Sequence, residues 1–389
     1  MTFTRPTWAE ISRSRLLHNF RLLRSLAGHS VELMAVVKAN AYGHGVADCA
    51  PLLAADGACW LGVTCVEEAV ALRRVVPDAR ILAMSGLWRG EADAVLEHRI
   101  TPSVWEPYHL DLLEAAARSR GLESRTVPVH LEIDTGMSRQ GVQLASLASL
   151  LDRFTPQSPL RIEALMTHFH SADSPHATQA QIGQFAAAAE LAVSGGVRPE
   201  ILSAGSSGGV LLKDTDAVTE MAARIGARRM VRSGIALYGY SPLSPRSSAP
   251  HQCEANLLPV LAWKTRIISL RTIERGETAG YDASFPATRR TRLALLPVGY
   301  ADGLNRLLSN RGSVLLRGCR ATIAGRVSMD QTIIDITEIP EANLGDEVVL
   351  IGEQGSERIT AADIAELTGT ISYEVLCAIA ARVPRIMVD

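Results

Sequence analysis

Between about residues 30 and 240, short apolar runs alternate with longer amphipathic stretches. The amphipathic stretches repeat apolar residues at helical spacing, as Leu112, Leu113, Ala116 and Ala117 do. Eight strand–helix alternations predict an α/β fold with a closed (β/α)8 TIM-type barrel, an architecture of about 250 residues. An open doubly wound sheet is the alternative. The predicted strands lie at 33–37, 59–63, 81–84, 100–104, 127–133, 164–168, 201–204 and 230–236, and predicted helices at 67–76, 108–120, 144–153 and 178–193.

The pattern changes after Tyr240. Residues 241–250 are rich in Ser and Pro and predict a linker. Beyond them, glycine-punctuated runs predict a mostly β domain with strands at 260–270, 292–297, 313–316, 321–323, 332–336 and 347–351. One short helix is predicted at 361–367, with Thr360 as its N-cap. We therefore expect a barrel domain at 1–243 and a β-rich C-terminal domain at 244–389, with residues 2–9 forming a strand of either one.

Length and composition agree with two globular domains. The chain has 389 residues, of which 47% are hydrophobic and 21% charged. A net charge of −2 without a long basic block gives no support for nucleic-acid or membrane-surface binding. The first ten residues lack the apolar core of a signal peptide, and no apolar run is long enough to span a bilayer. The six cysteines are scattered without a CxxC pair, which predicts reduced thiols in the cytoplasm.

Lys38 directly follows the first predicted barrel strand. A charged lysine is costly to bury, so it is either a surface residue or a functional amine. Gly43 and Gly45 indicate a tight turn just after it. The Ser/Gly-rich residues 203–209 follow strand seven and lie beside Gly234 of strand eight, where barrels frequently bind phosphate. A functional lysine and a phosphate cradle on one face suggest pyridoxal phosphate.

Eight segments spread over both predicted domains carry a more specific resemblance. They are VVKANAYGHG, LEIDTGMSRQGV, MTHF, VRSGIALYG, AGYDASF, PVGYADGL, GRVSMDQ and YEVLCAIAARVPR, and they fall between about residues 8 and 387. In these segments the chain resembles the alanine racemase family. The resemblance implies a fold-type III pyridoxal-phosphate enzyme and a homodimer with shared active sites. Its expected activity is isomerisation between L- and D-alanine, a cell-wall precursor, with serine or broader-specificity racemisation as the alternative.

The resemblance also assigns roles to individual residues. Lys38 corresponds to the lysine that carries the cofactor, and Tyr281 to an opposing base delivered from the partner subunit. His168 corresponds to the histidine that links this tyrosine to an arginine. The remaining implied contacts are Tyr42, Ser207, Gly234, Ile235 and Tyr373 for the phosphate, Arg232 for the pyridine nitrogen, Arg139 and Met329 for the substrate carboxylate, and Tyr300 with Tyr373 at the substrate entrance.

These residue types suit the chemistry. Racemisation removes the α-proton from one face and returns a proton to the other, so two bases must flank the substrate. Arg232 is always protonated and shares no proton with the pyridine nitrogen, which leaves the ring a weaker electron sink than an acidic partner would. That choice slows proton abstraction but limits transamination and decarboxylation.

Three positions depart from the family pattern. Glu132 stands where members often carry a lysine, sometimes carbamylated. It shares strand parity with His130 and Asp134, so we expect its carboxylate to hold Arg139. Ser328 replaces a frequent cysteine with a mild expected effect. His170 replaces a small residue, and the sequence assigns it no role.

Three other functions compete with racemisation. His130, His168 and His170 suggest a barrel metal hydrolase, but Lys38 occupies the position where strand one would supply a ligand. An amino-acid decarboxylase of the same fold usually needs an acidic partner for the pyridine nitrogen, which Arg232 is not. A non-catalytic pyridoxal-phosphate carrier resembles the barrel alone and has no counterpart of Tyr281.

Overall fold

The computed structural model describes residues 4–212, 216–243 and 256–389. The chain forms two compact units. The barrel unit comprises Leu17–Ala41 and Val46–Leu257, and the β unit comprises Met1–Leu16, Tyr42–Gly45 and Leu258–Asp389. The predicted boundary between residues 243 and 244, and most of the predicted linker, fall at or within the segment 244–255, outside the described residues. Those limits stay a prediction.

The first strand, β1 (Thr7–Ser12), belongs to the β unit. It pairs antiparallel with residues 261–265 and parallel with residues 385–388. Backbone pairing thus assigns residues 7–9 of the predicted strand to the β unit.

Eight parallel strands close into a barrel within the described part of the chain. Their order is β2-β3-β4-β5-β6-β8-β9-β10, and β10 pairs with β2 to complete the ring. The short β7 pairs in parallel with the last two residues of β6, Ile133 and Asp134. The predicted closed barrel is confirmed, and each predicted barrel strand overlaps its observed counterpart. The strands are β2 (Val31–Val36), β3 (Trp60–Val63), β4 (Arg80–Ala83), β5 (Thr101–Val104), β6 (Val127–Asp134), β7 (Val142–Gln143), β8 (Leu160–Met166), β9 (Ile201–Ser203) and β10 (Arg228–Ser233).

Helices connect successive barrel strands, as right-handed parallel crossovers require. Pro107 and Pro175 each stand in the first turn of a helix, where the missing N–H leaves no bond unmade. The helices are α1 (Arg13–Ala27), α2 (Val46–Ala55), α3 (Val66–Arg73), α4 (Ala92–Glu97), α5 (Pro107–Ser119), α6 (Leu144–Leu151), α7 (Pro175–Ser194), α8 (Ser207–Leu212) and α9 (Asp216–Ile225).

Alternate residues of the strands fill the barrel interior. An apolar cluster of Met34, Trp60, Leu82, Ala164, Met166, Ile201 and Met230 forms its core. The pairing of β6 with β8 shifts register next to His130, which leaves Glu163 as an extra residue. Glu163 lies 3.6 Å from His130 and 2.6 Å from Arg80, so this buried carboxylate is paired.

In its described residues, the β unit contains mostly antiparallel sheets, with β1 and β21 as a parallel pair, and two short α-helices. The predicted strand 260–270 is in fact two strands, because Ile267 donates to Asp346 while Ile268 donates to Leu295, in different sheets. Thr360 caps its helix as predicted, accepting from the N–H of Asp363 at 3.1 Å. The elements are β11 (Leu261–Arg266), β12 (Ser269–Ile273), β13 (Thr278–Ala279), β14 (Phe285–Pro286), β15 (Thr291–Leu296), β16 (Ser313–Leu316), β17 (Cys319–Thr322), β18 (Thr332–Asp335), β19 (Glu347–Gln354), β20 (Glu357–Ile359), α10 (Ala361–Thr368), α11 (Ser372–Cys377) and β21 (Arg385–Val388).

Within the described ranges, every helix is too short or too polar to cross a lipid bilayer.

Candidate active site

A left-handed turn follows Lys38 at the C-terminal end of β2. Residues 39–42 all have φ between 51° and 56°, a conformation that costs residues with a Cβ about 1–2 kcal/mol each. Hydrogen bonds hold the turn: the N–H of Ala39 donates to Glu68 at 2.7 Å, and Asn40 Oδ1 accepts from Val46 at 2.8 Å. Backbone strain of this kind is maintained only where the surroundings over-determine it. Lys38 is thereby fixed, half-buried, at the mouth of the barrel.

Two helix N-termini meet beside Ser207, which begins α8. Its hydroxyl accepts from the N–H of Gly234 at 3.0 Å and of Ala236 at 3.3 Å, and it lies 3.1 Å from the hydroxyl of Ser233. Ile235 opens a 3-10 helix, so its N–H has no partner within that helix. Backbone N–H groups and hydroxyls gathered at helix N-termini are the donor set that a phosphate needs. The predicted residues Ser207, Gly234 and Ile235 therefore come together and fit a phosphate.

Arg232 is a buried cation near the end of β10. Its Nη1 donates to Ser203 at 2.7 Å, and its Nη2 donates to the carbonyl of Thr167 at 2.6 Å and contacts Nδ1 of His168 at 3.3 Å. Burial lowers the pKa of Arg232 to about 10, so it remains charged at neutral pH.

His168 is held neutral. Burial first, and then the charges of Arg232, Arg139 and Lys38, lower its pKa to about 3. Because a guanidinium only donates, Nδ1 of His168 must accept, which leaves the ring proton on Nε2. His168 therefore offers a fixed N–H donor on the side away from Arg232.

Arg139 lies on the loop after β6 and is exposed. Its guanidinium forms no hydrogen bond and no ion pair with any described residue. The expected ion pair with Glu132 is absent: that carboxylate accepts instead from Gln140 Nε2 at 2.6 Å and Ser103 Oγ at 3.1 Å. The amide of Gln140 takes the place expected for Arg139, whose exposed guanidinium still acts through its charge on the pKa values of Glu132 and His168. An unpaired guanidinium suits a substrate carboxylate.

In the β unit, Tyr42 and Tyr373 lie together. Their ring centroids are 5.9 Å apart, and burial raises the pKa of Tyr373 to about 12. Burial also raises the pKa of Tyr42, so both phenols remain donors. Gly43, with φ of +82°, makes the approach possible, since a Cβ there would lie 2.3 Å from the carbonyl oxygen of Leu376.

Three other predicted residues lie on exposed loops of the β unit. Tyr281 is 68% exposed, Met329 53% and Tyr300 43%. The loops of Tyr300 and Met329 are adjacent, because the N–H of Tyr300 donates to Ser328 at 3.0 Å. A buried Asp302 reinforces this arrangement: it accepts from Arg382, which also binds Asp330, both at 2.7 Å.

The three histidines proposed as a metal site do not converge. His130 lies against Glu163 and the ring of Trp60, whereas His168 lies against Arg232. His170 is exposed, with Nδ1 2.8 Å from Ser171 Oγ, and its N–H donates to Gln181.

Several supporting residues were not singled out from the sequence. They are Glu68, Ser103, Gln140, Gln181 and Ser203. Ser103 and Ser203 are polar residues near strand ends and Gln140 lies on the loop after β6, whereas Glu68 and Gln181 lie in helices, where the local pattern gives no signal.

Comparison with known proteins bears on the identity of the chain. The family model for the N-terminal domain of alanine racemases matches residues 11–242 of this sequence. The family model for their C-terminal domain matches residues 260–387. An alanine racemase of Symbiobacterium thermophilum is 41% identical over 384 residues, covering 98% of this chain and 97% of the relative.

Two solved structures share the fold. The alanine racemase of Streptomyces lavendulae is similar with a TM-score of 0.89 and 34% identity, covering 100% of this chain and 98% of that one. The alanine racemase of Bartonella henselae with covalently bound pyridoxal phosphate has a TM-score of 0.83 and 27% identity, over 98% and 99% of the two chains. With family models matching both ends and a relative matching nearly the full length, the chain belongs to the alanine racemase family.

Proposed function

We propose that this protein interconverts L- and D-alanine, with pyridoxal phosphate bound covalently to Lys38 and with Tyr281 of a second copy as the opposing base. The observation that carries the proposal is that an amine, a cation and a phosphate cradle lie on or directly after three neighbouring strands. Lys38 follows β2, Arg232 is on β10, and Ser207 follows β9, while β10 pairs with both β2 and β9. The C-terminal ends of barrel strands form one face, so amine, cation and phosphate cradle share it.

The residues of the barrel unit suit the parts of this cofactor. Ser207 and the N–H groups of Gly234 and Ile235 would hold its phosphate, and Arg232 would contact its pyridine nitrogen. The family resemblance adds Tyr42 and Tyr373, of the β unit, as further phosphate donors. When bound, the cofactor withdraws electrons from the substrate α-carbon and so acidifies the α-proton.

Proton transfer then falls to two side chains. The Nζ of Lys38 exchanges a proton with one face of the α-carbon, and the phenolic oxygen of Tyr281 with the other. The Nε2–H of His168 is available to donate to that phenolic oxygen, which would stabilise its deprotonated form. Arg139 would bind the substrate carboxylate, with the backbone of Met329 as a second contact, and Tyr300 and Tyr373 would narrow the entrance.

Arg232 favours racemisation over the competing reactions. Its guanidinium donates hydrogen bonds and accepts none, so it does not supply a proton-sharing acid to the pyridine nitrogen. Decarboxylation profits from the stronger electron sink that an acidic partner provides, and this site does not offer one on β10.

A homodimer with shared sites accounts for the exposed tyrosine. A general base must be held in position against the proton that it removes, yet Tyr281 is 68% exposed in the single chain. Met329 and Tyr300 are exposed in the same unit. Covering of these loops by the barrel unit of a second copy would complete both sites of a two-fold dimer.

The test is a panel of L-amino acids incubated with the purified protein in D2O. We expect loss of optical rotation and uptake of deuterium at the α-carbon, fastest for alanine, without release of carbon dioxide. A preference for serine would indicate the alternative racemase, and carbon dioxide release a decarboxylase. Cofactor absorbance without deuterium uptake would indicate a carrier. The cytoplasmic location expected from the sequence stays a prediction.

A further inference from the structure

A cavity of about 240 Å3 lies in the β unit, between β11, the segment 303–308 and the two C-terminal helices α10 and α11. An apolar cavity of about 150 Å3 is already large enough to bind benzene, so this one has room for a small organic molecule. Four buried apolar side chains, none more than 8% exposed, form much of its wall: Leu304, Leu308, Ile364 and Val375.

Trp263 supplies a hydrogen-bond donor to this apolar wall. It lies on β11, a central strand between β1 and β19, and is only 1% exposed. Its indole Nε1 has no hydrogen-bond partner among the described residues, although Trp263 lines the cavity. Buried N–H groups almost always have a partner, because an unpaired one loses its hydrogen bonds to water without compensation. The indole N–H therefore marks a position in the cavity for an acceptor oxygen.

The rim of the cavity carries a free positive charge. Arg306 is exposed and lines the cavity, and its guanidinium forms no hydrogen bond or ion pair in the described part of the chain. Glu374 is also at the rim, but its carboxylate already accepts from the hydroxyl of Thr370. The unpaired group at the rim is thus a cation, which favours an anionic ligand.

The geometry points to a binding site for a small monocarboxylate whose apolar body fills the cavity. The carboxylate pairs with Arg306 at the rim, because a charged group is costly to bury and this guanidinium is exposed. A neutral oxygen at the far end, such as that of a ketone, accepts from Nε1 of Trp263.

The position of the cavity gives the site a consequence for catalysis. Tyr300 also lines it, and on the proposed function Tyr300 narrows the substrate entrance. A bound monocarboxylate therefore lies beside the route of the substrate. This consequence rests on the proposed function, whereas the binding site does not.

The test uses two ligands of equal chain length, 5-oxohexanoate and hexanoate, titrated into the purified holoenzyme by calorimetry. Only 5-oxohexanoate has an oxygen for the indole N–H. We expect its Kd to be about five-fold lower, as one net hydrogen bond provides. In Trp263→Phe, which keeps an aromatic ring but has no N–H, this preference should be lost or reversed, because a ketone without a donor is costlier to bury than a methylene.

Three arginine variants locate the carboxylate. Arg306→Gln should raise both Kd values about ten-fold, through the loss of a charge-assisted contact. Arg311→Gln is the matched control, since Arg311 is an exposed arginine of the same segment that does not line the cavity, and it should leave both values unchanged. Arg139→Ala removes the expected carboxylate contact of the racemase site, and the preference for 5-oxohexanoate should persist in it.

Equal Kd values for the two ligands in the wild type would overturn the inference, because water alone would then satisfy the indole N–H. Binding that depends on Arg139 and not on Arg306 would also overturn it, since the ligand would then occupy the racemase site. If Trp263→Phe does not fold, a crystal structure of the 5-oxohexanoate complex replaces it, with the ketone oxygen expected within hydrogen-bond distance of Nε1. Absence of racemase activity would contradict the proposed function without changing these Kd values.

Discussion

Arg232 donates from Nη2 towards Nδ1 of His168 across 3.3 Å, and this contact fixes which nitrogen of the imidazole bears the proton. Because the pKa of His168 is lowered to about 3, the ring remains neutral throughout the physiological range. A neutral ring with a defined Nε2–H is a hydrogen-bond donor to a tyrosine oxygen rather than a proton store. The arginine–histidine part of the expected tyrosine–histidine–arginine chain is thereby present, and the ring N–H lies on the side away from Arg232.

Loss of the lysine amine should remove cofactor attachment. We expect Lys38→Ala to lose the absorbance of covalently bound pyridoxal phosphate and all racemase activity. Borohydride reduction of the wild type, followed by peptide mass spectrometry, should place the label on Lys38. The chain has three lysines, so Lys213 and Lys264 serve as internal controls. Labelling of either one in place of Lys38 would show the assignment to be wrong.

Two inactive variants should restore each other if the sites are shared. Mixed Lys38→Ala and Tyr281→Phe subunits form one intact site in each heterodimer. Random exchange should therefore recover up to about one quarter of wild-type activity, since half of the dimers are mixed and each has one working site of two. The double variant Lys38→Ala/Tyr281→Phe, mixed with wild type, is the control for exchange. No recovery despite proven exchange would place both bases in one chain.

The two bases should serve opposite enantiomers. The family resemblance assigns the tyrosine to the L-substrate and the lysine to the D-substrate. In Tyr281→Phe, α-deuterium washout from L-alanine should fall by roughly 10²–10⁴, the usual loss for a positioned general base. Washout from D-alanine should persist, because Lys38 still faces that proton. Single-turnover measurements on each enantiomer give the two rates, and equal losses would favour one base that reaches both faces.

Acid should destabilise the fold through His168. In the unfolded chain this ring gains a proton below about pH 6.5, whereas the folded protein does not protonate it until the pH approaches its folded pKa of about 3. Between these values the unfolded state binds more protons. The free energy of unfolding therefore decreases by up to about 1.4 kcal/mol for each pH unit by which the pH is lowered. Between pH 4.5 and 7, the urea midpoint should change less steeply with pH for His168→Gln than for the wild type. The exposed His29→Gln should retain the wild-type slope, and the same slope in both variants would rule out this role for His168.

Local patterns were sufficient for much of this protein. The alternation of apolar runs and helical stretches located all eight barrel strands, because the side-chain periods of strand and helix differ wherever one face is buried. The Thr360 cap could also be predicted from the sequence, because a helix cap is a local contact between residues three apart. Residues that follow barrel strands, such as Lys38 and Ser207, could be predicted to share one face, because the parallel strands of a barrel end at the same face.

Contacts between distant residues were decided only by the tertiary structure. Strand parity placed Glu132 on the same side as His130 and Asp134 and favoured Arg139 as its partner, but the loop brings Gln140 to the carboxylate instead. Likewise, the assignment of β1 to the β unit and the division of residues 260–270 between two sheets depend on backbone pairing with segments hundreds or tens of residues away. Periodicity determines which face of an element is buried. The path of a loop and the register of a pairing determine which group meets it there, because the chain can satisfy one buried polar atom with several partners of equal chemistry.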